Sequence, residues 1–458
     1  MKNFKILCFL LFAMIPFISS AQQELNTHFM RGLWQSTLTN PAMLPEAKVI
    51  VGLPSVYNEL FVSDITYNDI VTTSAGETFI DLSTAIDQLS NENIIRDVPE
   101  LRTLALGLRF DQLFVSLDHA IKGNLFAQYP KSLLEVLFEG NAQFIDQAVE
   151  IGPEIQASIH SELSLGLGYQ INPNFSIGGR VRLLTGIADL STTRNSMQLY
   201  TSPDIYQLEL RSNYQFNTYN LATYDGFDDF NLNDEFLENL GEIGTQNTSI
   251  GFDFGIYYQT DLFDVSFSVL DIGKLNWDSG VTNYTLEGIS DFDGVNISDL
   301  LFDDDINIYL NDTLRNVFDV VETQNSYSSS IGTKLLLSGT YKISPIFRAG
   351  GMVMVENFRD EWFPAVGVNL QGRPNEFIEF GFLYAYRAER FDNLGLNLGL
   401  KLGPVQIIAS TDNVLSAANL SNANSANIRL GLNVAVGSVR GNRGVDPDNI
   451  SNQDDFFN

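Results

Sequence analysis

Near the end of the chain, apolar residues alternate without a break. Ile428, Leu430, Leu432, Val434 and Val436 are separated by Arg429, Gly431, Asn433 and Ala435, with Asn427 and Gly437 at the flanks. The pattern returns at Leu394, Leu396, Leu398, Leu400 and Leu402, between Gly395, Asn397, Gly399 and Lys401. A period of two predicts a β-strand with two unlike faces. One face is purely aliphatic; the other is glycine, asparagine and charge. A soluble sandwich shows water a face rich in Lys, Glu and Thr. Here that face is thin and small, which suits a wall with lipid outside and a wet or packed lumen inside.

Similar strands recur along the chain, at Lys48 to Val62, Leu104 to Phe110, Leu163 to Ile171, Ile250 to Tyr258, Ile331 to Ile343 and the aromatic-rich Ile378 to Tyr386. Tight links rich in Pro, Gly, Asn and Asp join pairs of them, at Asp111-Gln112, Asn172-Pro173-Asn174, Thr260-Asp261-Leu262, Ser344-Pro345, Gln371 to Asn375 and Leu402-Gly403-Pro404. The alternate links are long: Asp64 to Arg102, Lys122 to Gln156, Leu221 to Gln246, Gly273 to Tyr327 and Thr411 to Ala426. This parity predicts an up-and-down barrel with short periplasmic turns and long external loops, and both ends of the mature chain on the periplasmic side. The alternation rule gives about sixteen candidate strands. Asn195 to Asn220 supplies two of them and can instead be a hairpin overhanging the membrane, which leaves about fourteen in the wall. Pro54 and Pro364 fall near strand starts or irregular places, where bulges tolerate them. Within the long links, Ser83 to Ile95, Lys131 to Val149 and Asp299 to Val321 read as short amphipathic helices.

The fold class is therefore all-β: a transmembrane antiparallel barrel of about fourteen strands, up to sixteen, with short helices in long loops. The expected layout is a signal peptide at 1–21, a short N-terminal periplasmic or plug segment at 22–45, the barrel at 46–439 and a disordered tail at 440–458. Lys2 and Lys5, the apolar run Ile6 to Phe17 and the small residues Ser19-Ser20-Ala21 make up the signal. The one cysteine, Cys8, lies in that run, so a mature chain starting at Gln22 has no thiol chemistry. No other stretch has the roughly 20 apolar residues of a membrane helix. Removing Lys2 and Lys5 leaves 24 of 26 basic residues against 56 acidic ones, a net charge of −32. Such acidity argues against nucleic acid as a partner and suits large solvated loops.

Little points to catalysis or to a cofactor. His28, His119 and His160 have no metal-type neighbours at helical spacing. There is no Gly-x-Ser-x-Gly elbow and no phosphate loop. Asp225 to Glu235 and Asp303 to Asp305 are acidic clusters, and Asp303 to Asn311 lacks the glycine and closing glutamate of an EF-hand loop. The charges that matter sit opposite the aliphatic series. Arg180, Arg182, Arg348, Glu379, Arg387, Lys401 and Arg429 point inward if the wall is a barrel. There they line a polar channel or pair with acids such as Asp253 to fill it. Trp34, Trp277, Trp362, Tyr257, Tyr258, Tyr384 and Tyr386 are candidates for interfacial girdles. Phe456 and Phe457 lie about twenty residues past the last strand, either as a detached tail motif or by chance.

Short motifs add a resemblance. Asn40-Pro41-Ala42-Met43-Leu44-Pro45, then Val51-Gly52-Leu53-Pro54-Ser55, then Asp271-Ile272-Gly273 with Trp277, and Ser410-Thr411-Asp412-Asn413-Val414 resemble a Bacteroidota outer-membrane family, domain-of-unknown-function family 5723. The Asn40-Pro41-Ala42 turn is also similar to the start of FadL and PorV barrels, with Met43 in place of their glycine. The resemblance implies a non-enzymatic, FadL-like barrel of about fourteen strands in a Gram-negative outer membrane, surrounded by its lipid. Two functions stay open: passage of a small, hydrophobic solute, or a scaffold with a plugged lumen that serves other outer-membrane proteins. A kinked wall strand or apolar pocket would mark the first; a filled lumen would mark the second.

Overall fold

The computed structural model describes residues 25–74, 77–203, 207–224, 230–232, 245–292, 320–387 and 390–439. Alternation makes the wall. Fourteen antiparallel staves follow one another in chain order and close into a ring. They are β1 (Ala47–Gly52 and Ser55–Val62), β2 (Glu92–Asp97 and Glu100–Phe110), β3 (Leu113–Pro130), β4 (Glu154–Asn172), β5 (Phe175–Thr201), β6 (Thr248–Gln259) and β7 (Phe263–Ile272). The second half comprises β8 (Thr333–Lys342), β9 (Phe347–Phe358), β10 (Glu361–Gly372), β11 (Ile378–Arg387), β12 (Arg390–Leu402), β13 (Val405–Thr411) and β14 (Ser425–Ser438). Two staves consist of two segments each, so the expected range of fourteen to sixteen covers one wall of fourteen staves and sixteen strand segments. β14 pairs with β1 to close it, through Val436↔Val49 and Leu430↔Val56. Closure leaves the wall no free edge, which is how strands satisfy their backbone groups in lipid.

The two faces are as unlike as the alternation implied. Ile428, Leu430 and Val436 are exposed on the outside of β14, while Asn427, Arg429 and Asn433 are buried inside. Similar exposed series run along β4, β6 and β8, as at Leu165, Leu167, Phe254, Ile256 and Leu337. The described parts of Asn195 to Asn220 extend beyond the ring, as the overhanging-hairpin alternative has it. The end of β5 pairs there with Leu208–Tyr219, which pairs in turn with Thr282–Phe292.

Several expectations need correcting. The helix expected at Ser83 to Ile95 spans only Leu82–Gln88, because Glu92–Asp97 joins the wall by pairing with the long stave β3. The helix expected at Lys131 to Val149 stops at Phe138, and Ala148–Glu150 becomes a strand against Gln198 to Tyr200. Pro54 sits at the break in β1, but Pro364 lies inside β10 in unbroken register with Val355. It is tolerated there because on its other flank β11 pairs with β10 only from Val366 onward. Trp34, Trp277 and Tyr257 are buried and belong to no girdle, whereas Trp362, Tyr258 and Tyr384 face outward. The described N-terminal segment does not start at the tight-turn end of the barrel: Leu25 binds Asp412, just past β13 at the opposite end. The signal peptide, the tail, the acidic stretch 303–311 and most of Asp299 to Val321 lie outside the described residues.

Candidate functional site

Inward positions along the staves carry opposite charges, and the ring brings them within bonding distance. Arg180 and Asp253 are direct cross-strand partners on β5 and β6 and pair at 3.0 Å. Arg182 reaches the same Asp253 at 2.5 Å, Glu162 of β4 at 3.2 Å, and Asp271. Lys334 of β8 joins Asp271 at 2.7 Å and lies 3.7 Å from Glu356 of β9, which Arg96 of β2 holds through two bonds of 3.0 and 2.9 Å. Lys122 connects Glu162 at 2.9 Å. Glu100 receives Arg102 at 3.0 Å and Arg429 of β14 at 3.2 Å. No carboxylate of this belt is more than 7% exposed. Buried charge is tolerable only when paired and hydrogen-bonded, and here nearly every charge has more than one partner. A smaller cluster, Arg387 with Glu59 and Asp412, stands beside it. Among the described residues, a partly open cavity bordered by Arg96, Lys122 and Glu356 measures only about 30 Å³, room for one or two waters.

The N-terminal segment fills much of what remains. Leu25 and Asn26 donate their backbone N–H groups to the Asp412 carboxylate, both at 3.0 Å. Asn26 also donates to the Thr411 carbonyl at 2.8 Å and accepts from Asn397 at 2.8 Å. His28 bridges the hydroxyls of Thr39 at 2.9 Å and Ser338 at 2.7 Å. Burial holds its pKa down at about 3, with the Arg31 charge adding to the effect, so the ring is neutral. Gln35 and Asn433 exchange two bonds, at 2.8 and 3.0 Å, and Arg180 donates to the Thr37 carbonyl at 2.8 Å.

The Asn40-Pro41-Ala42 turn has a seat of its own. The Asn40 side chain accepts the Ala42 N–H at 2.8 Å and donates to Ser266 at 2.7 Å and to the Ile256 carbonyl at 3.0 Å. Gly168, Gly178 and Gly255 stand in direct register on β4, β5 and β6. A Cβ at Gly178 would overlap the Pro41 carbonyl, and one at Gly255 would overlap the Asn40 amide. The three glycines form a slot across the wall in which the turn lies.

The other motifs have equally local reasons. Asp271 adopts φ 56°, which Asp tolerates better than most residues. The chain leaves the wall there, and Lys274–Trp277 pairs with Tyr327–Ser330. Trp277 packs on Gly186, where no side chain would fit, and donates to Ser329 at 2.8 Å. Asn413 caps the helix Val414–Ala418 by accepting the Ser416 N–H, just after Asp412 anchors Leu25.

Of the inward candidates, Arg180, Arg182 and Arg429 lie in the belt and Arg387 in the cluster beside it; Arg429 also stacks 4.8 Å from the Tyr57 ring. Glu379 is buried lower down and accepts from Gln371 at 3.1 Å. Arg348 and Lys401 are half-buried at the mouth on the tight-turn side, in different crevices. Arg96, Glu100, Lys122, Glu162, Lys334 and Glu356 escaped sequence reading. Their inward parity was the available signal, but nothing local reveals their partners. Among the described residues no group of His, Cys, Asp or Glu is arranged to hold a metal.

Comparison with known proteins gives a family and distant structural likenesses. Residues 41–412 match a family described as a family of unknown function (DUF5723). No curated protein matches. Among solved structures, a Pseudomonas aeruginosa FadL homologue is 12% identical with a TM-score of 0.44, covering 91% of this chain and 98% of that one. The Pseudomonas putida toluene transporter TodX is 10% identical with a TM-score of 0.39, covering 91% and 94%. The Ralstonia pickettii toluene transporter TbuX is 10% identical with a TM-score of 0.32, covering 88% and 94%.

Proposed function

The chain belongs to the DUF5723 family, and we propose that it is a non-enzymatic outer-membrane barrel that passes a small hydrophobic solute through its wall rather than along its axis. One observation carries this reading. Two neighbouring staves are interrupted, β1 at Leu53-Pro54 and β2 at Val98-Pro99. The second interruption stays bonded on both flanks, by the Val98 N–H to the Glu59 carbonyl and the Gly123 N–H to the Pro99 carbonyl, so the first is the weak point. The ladder between the two staves skips from Gly52↔Ala105 to Ser55↔Arg102, and the register shifts again between Arg102 and Leu104 against β3. Backbone pairing between β1 and β2 is thinned at Leu53-Pro54, although Leu53 still donates to the Leu432 carbonyl of β14, and Val56, Leu101 and Leu104 keep the outer side apolar. The axis is blocked by the charged belt and the N-terminal segment, so an open aqueous pore is not the reading.

The test is a lock across the break. Leu53→Cys with Leu104→Cys introduces the only thiol pair of the mature chain. Oxidation should stop uptake of an apolar fluorescent probe by cells carrying the barrel, and reduction should restore it. Uptake unchanged by the lock overturns the proposal.

The filled lumen favours a second reading, a scaffold for other outer-membrane proteins. Detergent purification separates the two. Stoichiometric partner proteins support the scaffold, and a co-purified apolar small molecule without a partner supports passage.

A further inference from the structure

The mouth on the tight-turn side holds a feature that neither wall nor lumen accounts for. A cleft of about 390 Å³ opens between the N-terminal segment, the β10–β11 and β12–β13 turns and the ends of β1 and β14. Phe377, 52% exposed, is its accessible apolar side chain, above a floor where Trp34 and Ile50 are buried in the core. Arg373 and Lys401 border it, with Glu46 and Glu376. β14 ends at Ser438, on the rim of this cleft, and the Val439 N–H donates to the Glu46 carbonyl at 3.0 Å. The chain therefore leaves the wall at the mouth of the cleft.

The sequence that follows has the complementary chemistry in the complementary order. Arg440 and Arg443 come first, directly after Val439, and Asp454-Asp455-Phe456-Phe457 come last. We propose that this cleft is the docking site of the chain's own C-terminal segment, with Phe456 and Phe457 against Phe377 and Asp454 and Asp455 toward Arg373 and Lys401. Fourteen residues separate Val439 from Asp454. They reach about 50 Å when extended and average about 21 Å as a coil, enough to cross the mouth. Tethering sets an effective concentration of about a millimolar, so modest contacts suffice. Rim ion pairs are weak and screened by salt, which makes the docking salt-sensitive while the aromatic contacts fix its place.

The experiment uses the full chain and a variant lacking residues 451–458, both in detergent, with a labelled synthetic peptide of residues 450–458 as probe. The peptide should bind the shortened protein at least tenfold more tightly than the full chain, whose cleft is occupied in cis. Arg373→Glu with Lys401→Glu, in shortened protein that still runs as a folded barrel on unheated gels, should lose the peptide, and 0.5 M salt should weaken it. A photo-crosslinking residue in place of Phe456 should capture the same chain near Phe377. Equal binding to both proteins, equal binding of a scrambled peptide, or cross-links only to a second copy or another protein would each overturn the proposal.

Discussion

The carboxylate of Asp412 receives the backbone N–H of Leu25, 387 residues earlier in the chain, at 3.0 Å. Asp412 thereby ties the first described residue to the end of β13 opposite the tight turns. Hydrogen bonds to a charged acceptor are worth about 1.5–3 kcal/mol, and this carboxylate takes a second one from Asn26. Asp412→Ala should therefore speed hydrogen exchange at Leu25 and Asn26 by at least roughly tenfold. Amides of β4 should be unaffected. Equal exchange in both proteins would mean that packing alone holds the segment.

The glycine slot makes a sharper contrast. Gly178→Ala places a methyl into the Pro41 carbonyl, whereas at Gly179 the nearest atom to a new Cβ is 3.5 Å away, an ordinary contact. The first substitution should expose Asn40 to Pro45 to added protease in detergent, and Gly179→Ala should leave it protected. If both behave alike, the slot does not seat the turn.

The belt predicts non-additivity. Arg96→Leu leaves Glu356, 1% exposed, without its two-bond partner, at a cost of about 3–5 kcal/mol. Adding Glu356→Leu should recover most of that loss, because two apolar groups replace two charges. Lys334, 3.7 Å from Glu356, keeps Asp271 as its partner at 2.7 Å. Urea unfolding in lipid or detergent measures the cycle, and additive losses would count against coupling.

His28 gives the pH dependence a sign. Its folded pKa of about 3 lies below the ordinary 6.5, through burial first and Arg31 second. Its contribution is complete above pH 6.5 and declines as the pH falls toward 3, since the unfolded chain takes up a proton that the folded one refuses. The slope is about 1.4 kcal/mol per pH unit. Melting temperatures from pH 7.5 to 4.5 should fall further for the native chain than for His28→Gln. Parallel curves would show that the ring is protonated in place.

The lipid face is tested by Leu430, 46% exposed on the outside of β14. Leu430→Arg should cost about 2–4 kcal/mol if the position lies near the bilayer midplane. Normal insertion and unchanged unfolding would place that face elsewhere.

The wall was legible because alternation is a local property. Ile428 and Arg429 declare their faces without knowledge of any other strand, and the Asn, Pro and Gly links announce the turns. What stayed hidden depends on register. Gly168, Gly178 and Gly255 are scattered in sequence, and only cross-strand pairing puts them in a row. Arg96 and Glu356 are 260 residues apart. Glu92–Asp97 was misread because Ile94 and Ile95 suit a short helix as well as a strand; the long stave β3 decides between them by offering a ladder. Pro364 misled for the converse reason, since the neighbour that would need its N–H begins two residues later.

The path of the N-terminal segment bears on how the molecule is made. Its earliest described residues lie enclosed, fastened to a residue synthesised 387 positions later. The ring is completed only when β14, the final stave, meets β1, the first. The segment from Leu25 must therefore wait, unsheltered, until Asp412 and β14 arrive. Contacts this distant in sequence form late because the intervening loop must close first. Sealing the seam and seating the plug thus become a single terminal event of biogenesis, and any defect at Asp412 or β14 should leave a nearly complete barrel that is both unclosed and unplugged.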